Sequence, residues 1–147
     1  MSSEVANDDL WPDVTPIAIV TPSSILKTQA AALSRRTHGL LRGEVRTWAT
    51  EGRGNDIYHQ LELVVPALDD YHYSLLRIHH SVTPLYPVYV DESPLHGQDD
   101  NPSARPNPNI GIPQLRSEDA FRDWLRRALA SDETKRILES LLAQATT

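Results

Sequence analysis

Four extended stretches with alternating apolar and polar residues follow one another between Leu40 and Val90, separated only by short turn sequences. Alternation with a period of two is typical of a strand that buries one face. Because short turns join neighbouring strands in antiparallel pairs, the pattern predicts a four-stranded antiparallel meander sheet. This sheet constrains the fold more than any other feature of the chain.

Helical periodicity flanks the predicted sheet on both sides. Ser23 offers an N-cap for a helix that ends near His38, and Gly39 suits the left-handed closing residue. Towards the C-terminus, Ser117 and Ser131 each precede a helix with a continuous apolar stripe. Because such stripes need a surface to cover, we expect an α+β fold in which the N-terminal helix and the two C-terminal helices pack on one face of the sheet.

The length of 147 residues is typical of a single domain. We expect residues 1–22 to form a loose N-terminal segment, because acidic and small polar residues and three prolines dominate it. Residues 23–147 then form one α+β domain. Five prolines predict a long irregular loop at 91–116, and a connection of this length is usually either functional or disordered.

Composition limits the environment and the cofactor chemistry. The chain has no cysteine, which excludes disulfides and thiolate metal sites. Its acidic start lacks the positive residues and apolar run of a secretory signal, and no apolar stretch approaches the roughly 20 residues that span a bilayer. We therefore expect a soluble cytoplasmic protein with no membrane contact and no cofactor.

Strand alternation predicts which side chains leave the core. In the first two strands the apolar set, represented by Val45 and Leu61, faces inward while Trp48 faces outward. The third strand, residues 71–80, is ambiguous because apolar residues occur on both of its faces. We place Ile78 inward, since the opposite choice would bury Arg77 at a considerable energetic cost.

The outward face of the sheet is the candidate binding surface. Tryptophan, tyrosine and arginine are the residues that most often anchor protein interfaces. The alternatives are that a helix covers this face, or that it is an ordinary solvated side of an antiparallel sheet. The candidate binding residues on this face are Arg42, Arg46, Trp48, Tyr58, Tyr73, Arg77 and His79.

Histidines are the side chains best suited to acid–base chemistry near neutral pH. His79 and His80 are adjacent in a strand, so they point to opposite faces and cannot chelate one metal together. His59 and His72 could each approach one of them across paired strands, but no carboxylate pair at ligand spacing accompanies them. We therefore predict no metal site and no catalytic residue, and we favour a non-enzymatic protein.

The leading hypothesis is a macromolecular interaction module that binds a protein partner, as antitoxins, immunity proteins and adaptors do. The first alternative is a nucleic-acid-binding accessory protein with Trp48 or Tyr58 available for base stacking. A net charge of −6 argues against broad affinity for phosphate backbones, although a local basic patch can exist on an acidic molecule. The arginines of that patch would be Arg35, Arg36, Arg42, Arg46 and Arg53.

Two further expectations concern catalysis and self-association. A small hydrolase that uses His59, His72 and His79 is the second functional alternative. Pro87 lies within the predicted fourth strand, residues 85–90, and is typical of an edge or bulged strand. Because this edge strand and a spare amphipathic helix stripe each offer a symmetric contact surface, a homodimer is also expected.

Overall fold

The computed structural model of the protein describes residues 8–15, 19–50, 56–95 and 113–147. It confirms the α+β class, with an N-terminal helix, an antiparallel sheet and two C-terminal helices. In chain order the elements are α1 (Pro22–Arg36), β1 (Arg42–Ala49), β2 (Asp56–Val65), a 3₁₀ turn (Pro66–Leu68), β3 (Tyr71–Ser81), β4 (Val88–Glu92), β5 (Gln114–Leu115), α2 (Glu118–Leu129) and α3 (Asp132–Ala145).

Within the described residues the sheet has five strands in the order β1-β2-β3-β4-β5, each antiparallel to its neighbour. The meander is confirmed, but the predicted number of four strands is wrong by one. The additional strand, β5, has only two residues, too few to produce an alternating pattern. It lies in the segment predicted as a loop at 91–116, most of which is outside the described residues.

The prediction for the fourth strand needs a correction. Pro87 precedes β4 instead of lying inside it, and β5 pairs with the first half of β4 through Val88 and Tyr89. The start of β4 is therefore not a free edge. The edges of the described sheet are β1 and β5.

Helix α1 begins earlier than the sequence pattern indicated. Its N-cap is Thr21, whose Oγ1 accepts a hydrogen bond from the N–H of Ser24 at 3.1 Å. Pro22 occupies the first helical position, where its missing N–H has no cost. At the other end Gly39 has a φ of +80° and donates to the carbonyl of Ser34, which confirms the predicted closing residue.

The two C-terminal helices begin as predicted. Ser117 accepts a hydrogen bond from the N–H of Ala120, and Ser131 accepts one from the N–H of Thr134. Their apolar stripes are buried against the sheet, as Phe121 shows. Among the described helices, none combines the length and the apolar character needed to cross a bilayer.

One face of the sheet, called the covered face below, packs against the helices. The predicted inward residues Val45, Leu61 and Ile78 lie on this face, and Leu61 and Ile78 are almost fully buried. The single core that they form also includes Leu26 of α1, Phe121 and Trp124 of α2, and Leu141 of α3.

A β-bulge resolves the ambiguity of the third strand. Leu61 pairs with Leu76, but the next residue, Glu62, pairs with Ser74, so Leu75 is an extra residue in β3. A bulge interrupts strict alternation and bends the strand. Leu75 and Leu76 therefore both reach the core although they are adjacent.

The bulge also moves one predicted binding residue to the other side of the sheet. Tyr73 pairs with Leu63 and lies on the covered face, packed against the core, so its predicted outward position is wrong. Strict alternation placed it outward because it could not account for the extra residue. Tyr73 lines a groove of about 630 Å³ together with Leu68, Ile137 and Leu141.

Gly43 allows α1 to pack directly on β1. A Cβ atom added at Gly43 would lie 2.5 Å from the Cα atom of Ala30 and 2.7 Å from its carbonyl oxygen. Both contacts are with the helix backbone, which cannot move aside as a flexible side chain could. Glycine is therefore required where the helix crosses the strand.

We predict that Gly43→Ala lowers the free energy of unfolding by about 2–3 kcal/mol, because the added methyl group forces α1 away from the sheet. Urea unfolding at neutral pH measures this change. The matched control is Gly39→Ala, at a position with no atom within 4 Å of the added Cβ, where only the left-handed backbone opposes alanine at a cost of about 1 kcal/mol. Equal losses for the two variants would contradict the packing argument.

Candidate interaction surface

The face opposite the helices, called the open face below, carries six of the seven predicted binding residues. Unlike Tyr73, none of these six residues packs against the core beneath the helices. Trp48 is 38% exposed, which is high for so large an apolar side chain. The six residues are Arg42, Arg46, Trp48, Tyr58, Arg77 and His79.

Four rings form a continuous row across the open face, called the ring ladder below, in which two contacts are stacked and the contact of Tyr58 with His79 is tilted by 31°. Trp48 of β1 lies opposite Tyr58 of β2, which lies opposite His79 of β3, which lies opposite Tyr89 of β4. The ring centroids are 5.6, 4.9 and 4.9 Å apart along this series. Because adjacent strands are separated by about 4.8 Å, rings that are directly opposite in register can stack at this distance.

Tyr89 is a member of the ladder that the sequence prediction did not include. It pairs with His79, and their rings are nearly parallel, with an angle of 15° between the planes. The signal that could have identified it is the alternation in β4, where buried Val88 and Val90 flank Tyr89. The wrongly placed start of the strand obscured that pattern.

An aspartate fixes the histidine in the middle of the ladder. The Nδ1–H of His79 donates to Oδ2 of Asp91 at 2.7 Å, and both side chains are about 15% exposed or less. Asp91 reaches this position because a second bulge lies in β4, between the pairs Ile78–Val90 and Arg77–Glu92. The sequence prediction treated Asp91 as the start of a loop.

Tyr58 is neutral within the ladder. Burial raises the pKa of its hydroxyl above the ordinary value of 10, and the negative charges of Asp91 and Asp56 raise it further. The ladder therefore presents ring faces together with the uncharged hydroxyl group of Tyr58. Such groups combine an apolar contact with hydrogen bonding.

The arginines of the open face are paired with carboxylates. The exposed pairs, those of Arg42 and Arg77, contribute little to stability, but all of the pairs cancel much of the positive charge. The distances that follow join a guanidinium nitrogen to a carboxylate oxygen. Arg42 lies 3.4 Å from Glu44 and 3.8 Å from Asp70. Arg46 lies 3.6 Å from Glu62, and Arg77 lies 3.4 Å from Glu92.

Glu62 is a buried carboxylate beside the ladder, with only 6% of its side chain exposed. It accepts hydrogen bonds from Nε2 of Gln60 at 2.9 Å and from Nδ1 of His72 at 3.2 Å, in addition to the contact with Arg46. These partners compensate for the loss of water, as a buried charge requires. The pairing of His72 with Glu62 instead of another histidine differs from the approach considered in the sequence analysis.

A second group of polar side chains lies on the covered face, at the end of the sheet away from the bulge. Nε2 of His59 lies 2.9 Å from Nε2 of His80, and both residues are 3% exposed. Nδ1 of His80 lies 2.8 Å from the carbonyl oxygen of Ser81, and Nδ1 of His59 lies 2.8 Å from Oγ1 of Thr47. The approach of His59 to His80 was one of the arrangements that the sequence allowed.

The hydrogen-bond partners determine which nitrogens carry protons. A carbonyl oxygen can only accept, so His80 must carry its proton on Nδ1 and accept at Nε2. His59 then donates from Nε2 and accepts from the hydroxyl of Thr47 at Nδ1. The result is a one-directional chain of hydrogen bonds that runs from Thr47 through His59 and His80 to the carbonyl oxygen of Ser81.

Burial, with smaller contributions from His80 and Lys27, lowers the pKa of His59 from 6.5 to about 4. The unfolded chain therefore takes up a proton at this residue before the folded protein does. The corresponding stability is present above about pH 6.5 and is lost progressively as the pH falls towards 4.

We predict that the titration of His59 makes the free energy of unfolding roughly 2 kcal/mol lower at pH 5 than at pH 7.5. Urea unfolding at a series of pH values measures the change. His59→Gln should reduce the dependence, because its amide can donate to His80 and accept from Thr47 but cannot take up a proton. His72→Gln removes an exposed histidine that does not belong to this series of hydrogen bonds, so the variant should keep the pH dependence of the wild type. A wild-type protein that is equally stable at both pH values would contradict the assignment.

The histidines of the hydrolase alternative do not converge. His59 lies on the covered face, whereas His72 and His79 lie on the open face with separate carboxylate partners. In the part of the chain that the structure describes, no group of three or more histidine, aspartate or glutamate side chains could hold a metal ion.

The chain was compared with models of protein families, with curated proteins and with solved structures. None of these comparisons finds a match. Function is therefore inferred from the residues of the open face.

Proposed function

We propose that the protein is a non-enzymatic interaction module of the cytoplasm that binds another protein through the open face, as antitoxins, immunity proteins and adaptors do. The ring ladder forms the centre of this interface. Its neighbours in register, including Arg46 and Arg77, form part of the rim.

The ring ladder is the observation that carries the proposal. It spans four adjacent strands, which corresponds to a strip about 15 Å long, and it ends at the exposed Trp48. Sites for small molecules are usually concave, whereas a flat strip of stacked rings is suited to the surface of a protein. Aromatic side chains are also the residues most enriched at the energetic centres of protein interfaces.

The rings are already held in place in the free protein. Each interior ring contacts two neighbouring rings, and the hydrogen bond to Asp91 fixes His79. Side chains that are ordered before binding lose little conformational entropy when a partner arrives. This preorganisation favours a recognition role over a merely solvated sheet face.

Charge favours a protein partner with basic groups over a nucleic acid. Five arginines were predicted to form a basic patch for nucleic acid. Arg42 and Arg46 are paired with carboxylates, and Arg35 and Arg36 lie in the last turn of α1. The fifth, Arg53, is outside the described residues. Carboxylates outnumber arginines on and beside the open face, so a partner with lysines or arginines would be complementary. These carboxylates are Glu44, Glu62, Asp70, Asp91 and Glu92.

The proposal predicts that Trp48→Ala weakens binding to the partner by at least about tenfold, because a central aromatic anchor is removed. A tagged copy of the protein, with chemical cross-linking, would first isolate a stoichiometric partner from an extract of its source cells. Calorimetry with the purified partner would then measure Kd for each variant.

The matched control is Tyr71→Ala, which removes an aromatic side chain that is 49% exposed but lies on the covered face. It should leave Kd unchanged. Absence of a stoichiometric partner, or equal weakening by both substitutions, would contradict the proposal. Salt-sensitive binding to oligonucleotides that is lost in Arg46→Ala would instead favour the nucleic-acid alternative.

A further inference from the structure

We infer that the outer edge of β1 pairs antiparallel with the same edge of a second copy of this chain, which joins the two sheets into one. This inference does not rest on the proposed function, since backbone groups at the edge of the sheet carry it, and Arg46 and Trp48 of the open face enter only through the register. It replaces the expectation of a dimer through the fourth strand, which β5 partly covers.

The backbone groups that point away from β2 can be identified from their hydrogen bonds. The N–H of Gly43 donates to Oγ of Ser34 in α1, so it faces outward, whereas the N–H of Thr50 donates to the carbonyl of Asp56 and faces inward. In an antiparallel pair this direction alternates with every residue. The N–H and C=O groups of Val45, Thr47 and Ala49 therefore point away from β2, towards the outer edge of the sheet.

Within the described part of the chain, these groups form a free edge. Helix α1 occupies the start of the strand through Ser34 and Gly43, but among the described residues none donates to or accepts from the outward backbone groups of Val45, Thr47 or Ala49. Thr47 and Ala49 are also exposed residues. A row of unpaired edge groups is a template for pairing with another strand.

The two edges of the sheet differ in how they are protected. β5 has only two residues and directly follows Pro113, two features that prevent further pairing. β1 has eight residues, contains no proline and pairs with β2 without a bulge. Natural proteins usually block an edge of this length, and none of the described residues blocks that of β1 beyond Gly43, which favours an occupant.

The sequence of the edge is self-complementary in one register. When the two-fold axis passes through Thr47, Arg46 of each copy lies opposite Trp48 of the other, and the two Thr47 residues face each other. Arg–Trp and Thr–Thr are favourable pairs across neighbouring strands. This register uses the edge backbone groups of Val45, Thr47 and Ala49 and allows about six hydrogen bonds between the copies.

The neighbouring symmetric registers are less favourable. An axis through Arg46 places this arginine opposite its own copy, and like charges in that position are destabilising. It also requires the N–H of Gly43, which is already bonded to Ser34. An axis through Trp48 leaves Val45 without a partner among the described residues of β1.

Ala49→Pro tests the inference, because the N–H that proline lacks has no acceptor among the described residues of the protomer. The wild-type protein should be a dimer by analytical ultracentrifugation at about 50 µM, whereas Ala49→Pro should dissociate with at least a tenfold higher Kd and an unchanged circular dichroism spectrum. Ala49→Ser keeps the N–H and should remain dimeric. A monomeric wild type, or an Ala49→Pro variant that stays dimeric, would overturn the inference.

Cross-linking tests the register independently, since the natural chain has no cysteine. Two Cα atoms at position 47 would be about 5.5 Å apart across the axis, within the range of a disulfide, whereas those at position 49 would be about 14 Å apart. Thr47→Cys should therefore form a covalent dimer on oxidation and Ala49→Cys should not. Equal cross-linking of the two variants would overturn the proposed register.

Discussion

The β-bulge at Leu75 is the feature on which the two-sided character of the sheet depends. In a regular strand, His72 and Arg77 would point to opposite faces, and one of them would enter the core without a partner. The extra residue restores the alternation, so that both lie on the open face. At the same time, Leu75 and Leu76 both reach the core. The bulge therefore lets the same strand contribute two adjacent leucines to the core and His79 to the ring ladder.

The open face combines order with contacts that are easily exchanged. Its rings stack on one another and one of them is held by Asp91, so the apolar strip is rigid. The arginine pairs around it are largely exposed, and exposed pairs contribute at most about 1 kcal/mol each. Arg42 or Arg77 can therefore leave its carboxylate for a group on a partner at low cost. This arrangement differs from that of the covered face, where burial fixes the side chains permanently.

Much of the fold could be predicted because its signals are local. Ser117 and Ser131 cap the helices that they precede, and the inward positions of Val45, Leu61 and Ile78 follow from alternation alone. Predictions failed where pairing between strands overrides alternation. Strict alternation cannot represent an extra residue in a strand. It therefore placed Tyr73 on the wrong face, because a bulge in β3 changes the side on which Tyr73 lies. It also gave no reason to include Asp91, which a bulge in β4 brings beside His79.

The sequence by itself determined the α+β class, the meander and the two faces of the sheet, because helical and strand periodicity are properties of neighbouring residues. Only the tertiary structure decided which side chains meet. His59 joins His80 through a buried hydrogen bond, while His79 joins Asp91 and the rings of the ladder. These contacts depend on the register between strands, and a shift of one residue would send every side chain of a strand to the opposite face.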